Sequence, residues 1–205
     1  METLLLARHG FAGSNRDGVA SCAIPGEGLT PEGVEQARSL GASLVETEIA
    51  LGATTELSRT NETLRLALDG RDVPTIVVPE LNEIHFGSFD GGALETYRAW
   101  AAAHSPSVSA PGGGESRAEA AARFARGLRV LLARDEEAIL LVGHALALRY
   151  VVDAADALVP AARMAPIAHA QPFRLAREDV TRAAELLEAW SAAPRFRDGG
   201  GTMGA

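Results

Sequence analysis

The stretch Leu4–Gly10, LLLARHG, decides how the rest of this chain is read. Three leucines and an alanine run straight into Arg8, His9 and Gly10. A short apolar run that stops on polar groups and a glycine reads as a buried strand, here Thr3–Ala7, that surfaces at its carboxyl end. Similar runs recur at Ala53–Leu57, Thr75–Val78 and Ala138–Val142, the last ending on Gly143-His144. Pro172–Leu175 reads as a late edge strand.

Helical signals fill the intervals. Thr30 precedes Pro31, an N-cap followed by the proline that suits a first helical position, and Val34, Ala37, Gly41, Leu44 and Val45 keep helical spacing. Further helices are expected over Arg59–Leu68, Ala93–Ala103, Glu115–Arg134, from Ala145, and over Val180–Trp190. Strands alternating with helices predict a three-layer α/β/α fold around a mainly parallel central sheet. Gly13–Gly28 and Glu83–Gly92 read as loops. The expected organisation is one domain over residues 1–196, a lid insertion at 91–114 and a flexible C-terminal tail at 197–205.

Composition limits the partners. A formal net charge of -8 argues against nonspecific binding to nucleic acid or to an anionic membrane. The single cysteine, Cys22, permits no internal disulfide and no cysteine-based metal site, and reads as a small loop hydrophobe. Glu2 stands where a secretory leader would be basic, and no apolar run approaches the length of a bilayer span. A cytoplasmic location is expected. Oligomeric state is open, with a homodimer as one expectation.

In open α/β sheets, ligands sit beyond the carboxyl ends of the strands. Arg8-His9 follows the first strand, Ser58-Arg59 the second, Glu83 the third and His144 the fourth. These groups are therefore expected to converge. Two arginines at one site suit a phosphate or carboxylate, with Asn15 as a further donor and the amides that open the Ser58 helix aimed at the same anion. A neutral imidazole amid those charges can attack phosphorus, and a carboxylic acid can protonate the leaving oxygen. No spacing typical of a metal site, such as HExxH, occurs.

At this point the chain resembles the histidine phosphatase superfamily, also called phosphoglycerate mutase-like. Arg8-His9-Gly10 with Asn15 resembles the family's opening signature. Leu29-Thr30-Pro31-Glu32-Gly33 with Gln36-Ala37, Thr55–Arg59 with Glu62-Thr63, Leu81–Glu83 with Gly87 and Asp90-Gly91, Gly113–Ser116, and Leu141–His144 resemble its later motifs in order. The resemblance implies that His9 is the nucleophile that becomes phosphohistidine. It implies that Arg8, Arg59 and His144 hold the phosphoryl group, with Asn15 at the edge, and that Glu83 is acid and then base. It implies no metal and no cofactor, and a small-molecule phosphate ester as substrate. Such a step needs His9 neutral and Glu83 protonated, so either Glu83 holds its proton more tightly than an ordinary carboxyl or the rate optimum is mildly acidic. The alternatives are phosphoglycerate mutase-type transfer, disfavoured by short segments after Arg8-His9-Gly10 and before His144, and a non-catalytic phosphate or phosphoprotein binding module.

The chain departs from the family pattern at Phe11-Ala12, Thr55-Glu56, Gly143 and Ala145-Leu146. Phe11 is where specificity is expected to begin. Gly10 is expected to let the backbone turn close to a phosphate. His85, His104 and His169 carry no motif and read as surface or structural residues, with a substrate contact open for His85. Tyr97 and Trp100 read as packing for a helix over the core. The arginines scattered along Glu115–Arg134 read as a solvated face.

Overall fold

The computed structural model describes residues 1–197. Residues 198–205 of the expected tail lie outside the described residues, and Arg197, its first residue, is tied to Asp153 by an ion pair of 2.8 Å.

Five strands form one sheet: β1 (Thr3–Arg8), β2 (Leu51–Thr54), β3 (Thr75–Val77), β4 (Ala138–Gly143) and β5 (Pro172–Ala176), in the order β3-β2-β4-β1-β5. β1 and β2 flank β4 and run parallel to it, and β3 runs parallel to β2. β5 closes the β1 edge antiparallel. Seven helices accompany the sheet: α1 (Gly13–Arg16), α2 (Pro31–Ser43), α3 (Ser58–Ala67), α4 (Leu94–Ala103), α5 (Arg117–Leu132), α6 (Ala145–Ala155) and α7 (Arg177–Ala192).

Side chains along a strand alternate between its faces. Leu4 and Leu6 of β1, with Ile139 and Leu141 of β4, join the core of Phe124, Leu128, Val151 and Leu187 from α5, α6 and α7. Leu5 and Ala7, with Leu140 and Val142, join Leu40 and Leu64 from α2 and α3. Both faces are covered, so the central strands read as continuous apolar runs, and the fold is the expected three-layer sandwich. Each buried leucine contributes roughly 1.5–3 kcal/mol.

The helix signals also hold in detail. The Thr30 hydroxyl accepts from the Gly33 N–H at 3.1 Å, and Pro31 opens α2. Ser116 caps α5 reciprocally with Glu119, at 3.1 and 2.7 Å. The second strand lies earlier than expected. Leu51–Ala53 pair with Ile139–Leu141, but the backbone leaves the sheet after Thr54 so that Leu57, still extended, becomes the N-cap of α3. The loop after Ala12 holds one turn of helix, α1, and the 83–92 loop holds a short 3-10 turn at Gly87–Phe89. Within 91–114, α4 packs back onto the core through buried Tyr97 and Ala101.

Gly10 is required by packing as well. A Cβ there would meet the Gly33 carbonyl oxygen at 2.5 Å, and a Cβ on Gly33 would meet the Phe11 oxygen at 2.1 Å. The two glycines let α2 press against the turn that follows β1.

Candidate active site

His9 leaves the end of β1, and its backbone N–H donates to the Gly143 carbonyl at 3.0 Å. The ring is buried, 2% exposed. Its Nδ1 lies 2.8 Å from its neighbour Gly10's carbonyl oxygen, which can only accept, so Nδ1 carries the proton. Nε2 is then a bare lone pair, and it receives the Arg59 Nε–H at 3.2 Å. Burial, then the charges of Arg59 and Arg8, hold His9 well below the ordinary imidazole range. The ring is therefore neutral at physiological pH.

Arg59 sits in the first turn of α3 and is 2% exposed. Its Nη2 reaches the Ser21 carbonyl at 2.9 Å and His144 Nδ1 at 3.3 Å, while Nη1 is buried with no partner. Arg8 donates from Nη1 to the Ile167 carbonyl at 2.8 Å, and its Nε is also buried without a partner. Burial lowers the Arg8 guanidinium to about 10, still charged at neutral pH. Two cations thus hold back N–H groups that the protein itself does not satisfy. A buried donor left in that state is expensive unless a ligand takes it.

His144 is fully buried at the end of β4 as the N-cap of α6. Its Nε2 meets the Thr55 hydroxyl at 3.0 Å, and that hydroxyl meets Thr60 Oγ1 at 2.9 Å. Thr60 spends its own proton on the Leu57 carbonyl at 2.7 Å, so Thr55 donates to Thr60 and His144 donates from Nε2. Burial and Arg59 hold His144, like His9, well below the usual range. The two rings meet edge-on with centroids 5.4 Å apart. Glu83 Oε2 lies 4.0 Å from His144 Nδ1.

Arg8, His9, Asn15, Arg59 and Glu83 line one cavity of about 90 Å³. Every expected site residue thus comes together around one point, with His144 behind the wall in contact with Arg59. Asn15 uses its Oδ1 to accept from the Ala12 N–H at 3.0 Å, which leaves its amide protons for the cavity. The Ser58 N–H is spent on the Pro25 carbonyl at 2.7 Å, and the first turn of α6, Ala145-Leu146, lines the cavity alongside Arg59 of α3.

Other residues that matter here lacked a legible signal. Thr55 supplies the hydroxyl for His144 at a position where the family motif differs. His169, read as a surface or structural residue, has a structural contact: Nδ1 meets the His9 carbonyl at 2.8 Å, and burial with the Arg8 charge lowers the ring to about 4, so it is a neutral donor. Phe11 turns its ring against His169, centroids 5.3 Å apart, and is not part of the cavity wall. His85 is exposed. Two arginines of α5 contradict the solvated-face reading. Arg117 is 6% exposed and lines the cavity. Arg123 pairs with Glu115 at 2.6 Å and donates to the carbonyls of Glu80, Asn82 and Glu83 at 3.0, 2.9 and 3.3 Å. It fixes the loop that carries Glu83, a role that sequence spacing alone does not reveal.

Comparison with known proteins agrees with this geometry. The chain is 37% identical over 105 residues to an adenosylcobalamin/alpha-ribazole phosphatase of Salmonella typhimurium, a match covering 47% of this chain and 52%, about half, of that relative. It is 29% identical over 177 residues to a 2,3-bisphosphoglycerate-dependent phosphoglycerate mutase 2 of Gloeobacter violaceus, covering 78% of each. The alpha-ribazole phosphatase of Shigella flexneri superposes with a TM-score of 0.72 at 25% identity, covering 84% of this chain and 89% of that one. The family model of the histidine phosphatase superfamily (branch 1) matches residues 4–191, and the chain belongs to that superfamily.

Proposed function

We propose that this protein is a phosphomonoesterase that works through a phosphohistidine on a small phosphorylated metabolite. One observation carries the reading: Arg59 and Arg8, two buried guanidinium groups that each keep a nitrogen without a partner, line the same cavity as neutral His9, whose Nε2 carries no proton. A phosphoryl group supplies oxygens for those donors and an electrophile for that lone pair.

In the first step a phosphoryl oxygen takes over the Arg59 Nε–H, and His9 Nε2 bonds to phosphorus as the ester P–O bond breaks. Glu83 gives its proton to the leaving oxygen. The imidazole keeps its Nδ1 proton on the Gly10 carbonyl, which orients the ring and stabilises the positive charge it gains. Arg8 and Arg59 neutralise the charge on the phosphoryl oxygens, so the step needs no metal ion. In the second step water attacks phosphorus, Glu83 takes its proton, and the P–N bond breaks to restore His9. The relatives named as alpha-ribazole phosphatases support a small ester as substrate. A cytoplasmic location and the lack of a nucleic-acid partner belong to the same proposal, supported by the net charge of -8 and the single cysteine; among the described residues no helix is long and apolar enough to cross a membrane.

The test is a phosphate-release screen over a metabolite panel with a chelator present, run beside His9→Ala. Turnover and acid-labile phosphoryl labelling are expected in the parent and absent in the variant. Labelling that persists in His9→Ala would falsify His9 as the nucleophile. Bisphosphate-stimulated transfer exceeding hydrolysis would favour the mutase reading that the Gloeobacter relative keeps in view.

A further inference from the structure

Beside the cavity that holds His9 lies a second hollow of about 470 Å³, and the two share Arg8, Arg98, Arg117, Ala145 and Met164. Arg117 is the unusual member of that shared wall. Its side chain is buried, yet among the described residues it makes no ion pair: Nη1 lies 3.8 Å from the weak acceptor Sδ of Met164, and the Tyr97 and Tyr150 side chains beside it carry no charge. Its Nε is buried with no partner. The guanidinium lies over the Tyr97 ring, 5.6 Å from its centroid, and such a contact offsets only part of the cost of a desolvated cation.

The fold has no evident use for this charge. Ser116 and Glu119 already close the N-terminus of α5, and a cation in a first helical turn opposes the helix dipole. Nor does the scissile phosphoryl group need it, because Arg8 and Arg59 already line the cavity beside His9, with the Arg59 Nε–H on His9 Nε2. Arg98 on α4 lines the same two hollows, and its ion pair to Glu95 at 3.6 Å, the one it makes among the described residues, is exposed to solvent. Guanidinium groups offer only donors, in a fork that suits carboxylate or phosphate oxygens.

We propose that Arg117, assisted by Arg98, forms a second anion subsite, so that the substrate is a phosphomonoester whose leaving alcohol carries a further carboxylate or phosphate. The inference rests on the phosphomonoesterase reading and adds the charge of the leaving group to it. The scissile phosphate sits between Arg8 and Arg59, the ester oxygen faces Glu83, and the rest of the substrate lies along Tyr97 toward Arg117 and the larger hollow.

Three esters that differ only at the far end provide the test: propyl phosphate, the phosphate ester of 3-hydroxypropionate, and propane-1,3-diol bisphosphate. The parent protein is expected to favour the two anionic esters in kcat/KM by about ten- to a hundredfold, the range for a hydrogen bond to a charged group. In Arg117→Met that ratio collapses toward one, and Arg117→Lys keeps part of it. Because the readout is a ratio within one preparation, partial unfolding cancels. A preference for one anionic ester over the other tells carboxylate from phosphate. A ratio near one in the parent, or a ratio that Arg117→Met leaves unchanged, overturns the subsite while the hydrolase stands. If no ester turns over, the hydrolase reading fails separately, and calorimetric titration of the same esters decides the subsite: tighter anionic binding lost in Arg117→Met supports it, and equal affinities overturn it.

Discussion

Arg123→Met removes the residue that holds the catalytic loop while touching nothing in the cavity itself. The guanidinium makes five hydrogen bonds. Two go to Glu115, at 2.7 and 2.6 Å, and three to the carbonyls of Glu80, Asn82 and Glu83. Its side chain is 17% exposed and that of Glu115 22%, so the pair is only weakly screened. The variant leaves Glu115 with the His85 N–H, at 2.9 Å, as its remaining partner, and leaves three carbonyls short of a donor. Breaking one side of such a pair costs about 3 kcal/mol at the lower end for buried ion pairs, and urea denaturation should show a loss of that size. The effect on turnover should depend on the leaving group. Glu83 loses its anchor, so the proton it delivers is misplaced, and an alkyl phosphate should slow by about tenfold to a hundredfold, part of what general acid catalysis contributes. A nitrophenyl ester, whose leaving group departs without a proton, should slow much less at the phosphorylation step. A stability loss under about 0.5 kcal/mol, the scale of ordinary surface changes, would refute the anchoring argument. So would equal slowing of both esters.

Other perturbations address the site and the fold separately. Glu83→Gln should also slow alkyl esters more than nitrophenyl esters, and measuring the rate of alcohol release in the first turnover checks it. His9, His144 and His169 are held neutral in the fold by burial and by nearby arginines. Their folded values lie below the unfolded value, so protons bind the unfolded chain preferentially as pH falls. Stability should be full above about pH 6.5, the ordinary imidazole value, and decline below it by up to about 1.4 kcal/mol per pH unit for each histidine. Urea midpoints that stay flat from pH 7 to pH 5 would contradict this. Gly33→Ala places a Cβ 2.1 Å from the Phe11 oxygen, a clash of backbone against backbone, and should cost about 1–3 kcal/mol in a thermal or urea melt.

The fold was legible because its strands are buried on both faces. Leu4–Ala7 and Ile139–Val142 have no polar face to mask the pattern, and each ends abruptly on groups assigned to the proposed chemistry. Thr30-Pro31 marked its helix to the residue because an N-cap and a first-turn proline act locally. The second strand was misplaced because Thr55–Leu57 continue an extended backbone without pairing, a difference that only the neighbouring strand decides. The direct site residues were legible for a related reason. His9 and His144 immediately follow strand ends, and topology alone brings them to within 5.4 Å.

What stayed hidden shares one cause: a charged residue on a helix looks the same in sequence whether it faces water or a cavity. Arg117, Arg123, Arg126 and Arg129 occupy one helix, α5. Arg126 and Arg129 are exposed and fit the solvated reading. Arg123 turns inward because the Glu80–Glu83 loop presents three carbonyls and α5 packs beside the turn at Pro79–Leu81. Arg117 turns inward toward Met164, Tyr97 and Tyr150, without a counter-ion or a backbone carbonyl among the described residues and with its Nε unspent. The contrast is informative. A buried arginine whose donors are spent on the backbone explains itself by architecture, and removing it should damage stability and catalysis together. A buried arginine whose donors are unspent lacks that explanation, and what remains is a ligand. Arg59 and Arg8 already show this pattern where the phosphoryl group is expected. By the same physical criterion Arg117 belongs with them rather than with Arg123. A loss of several kcal/mol of stability in Arg117→Met with no change in discrimination among esters would move it to the other class.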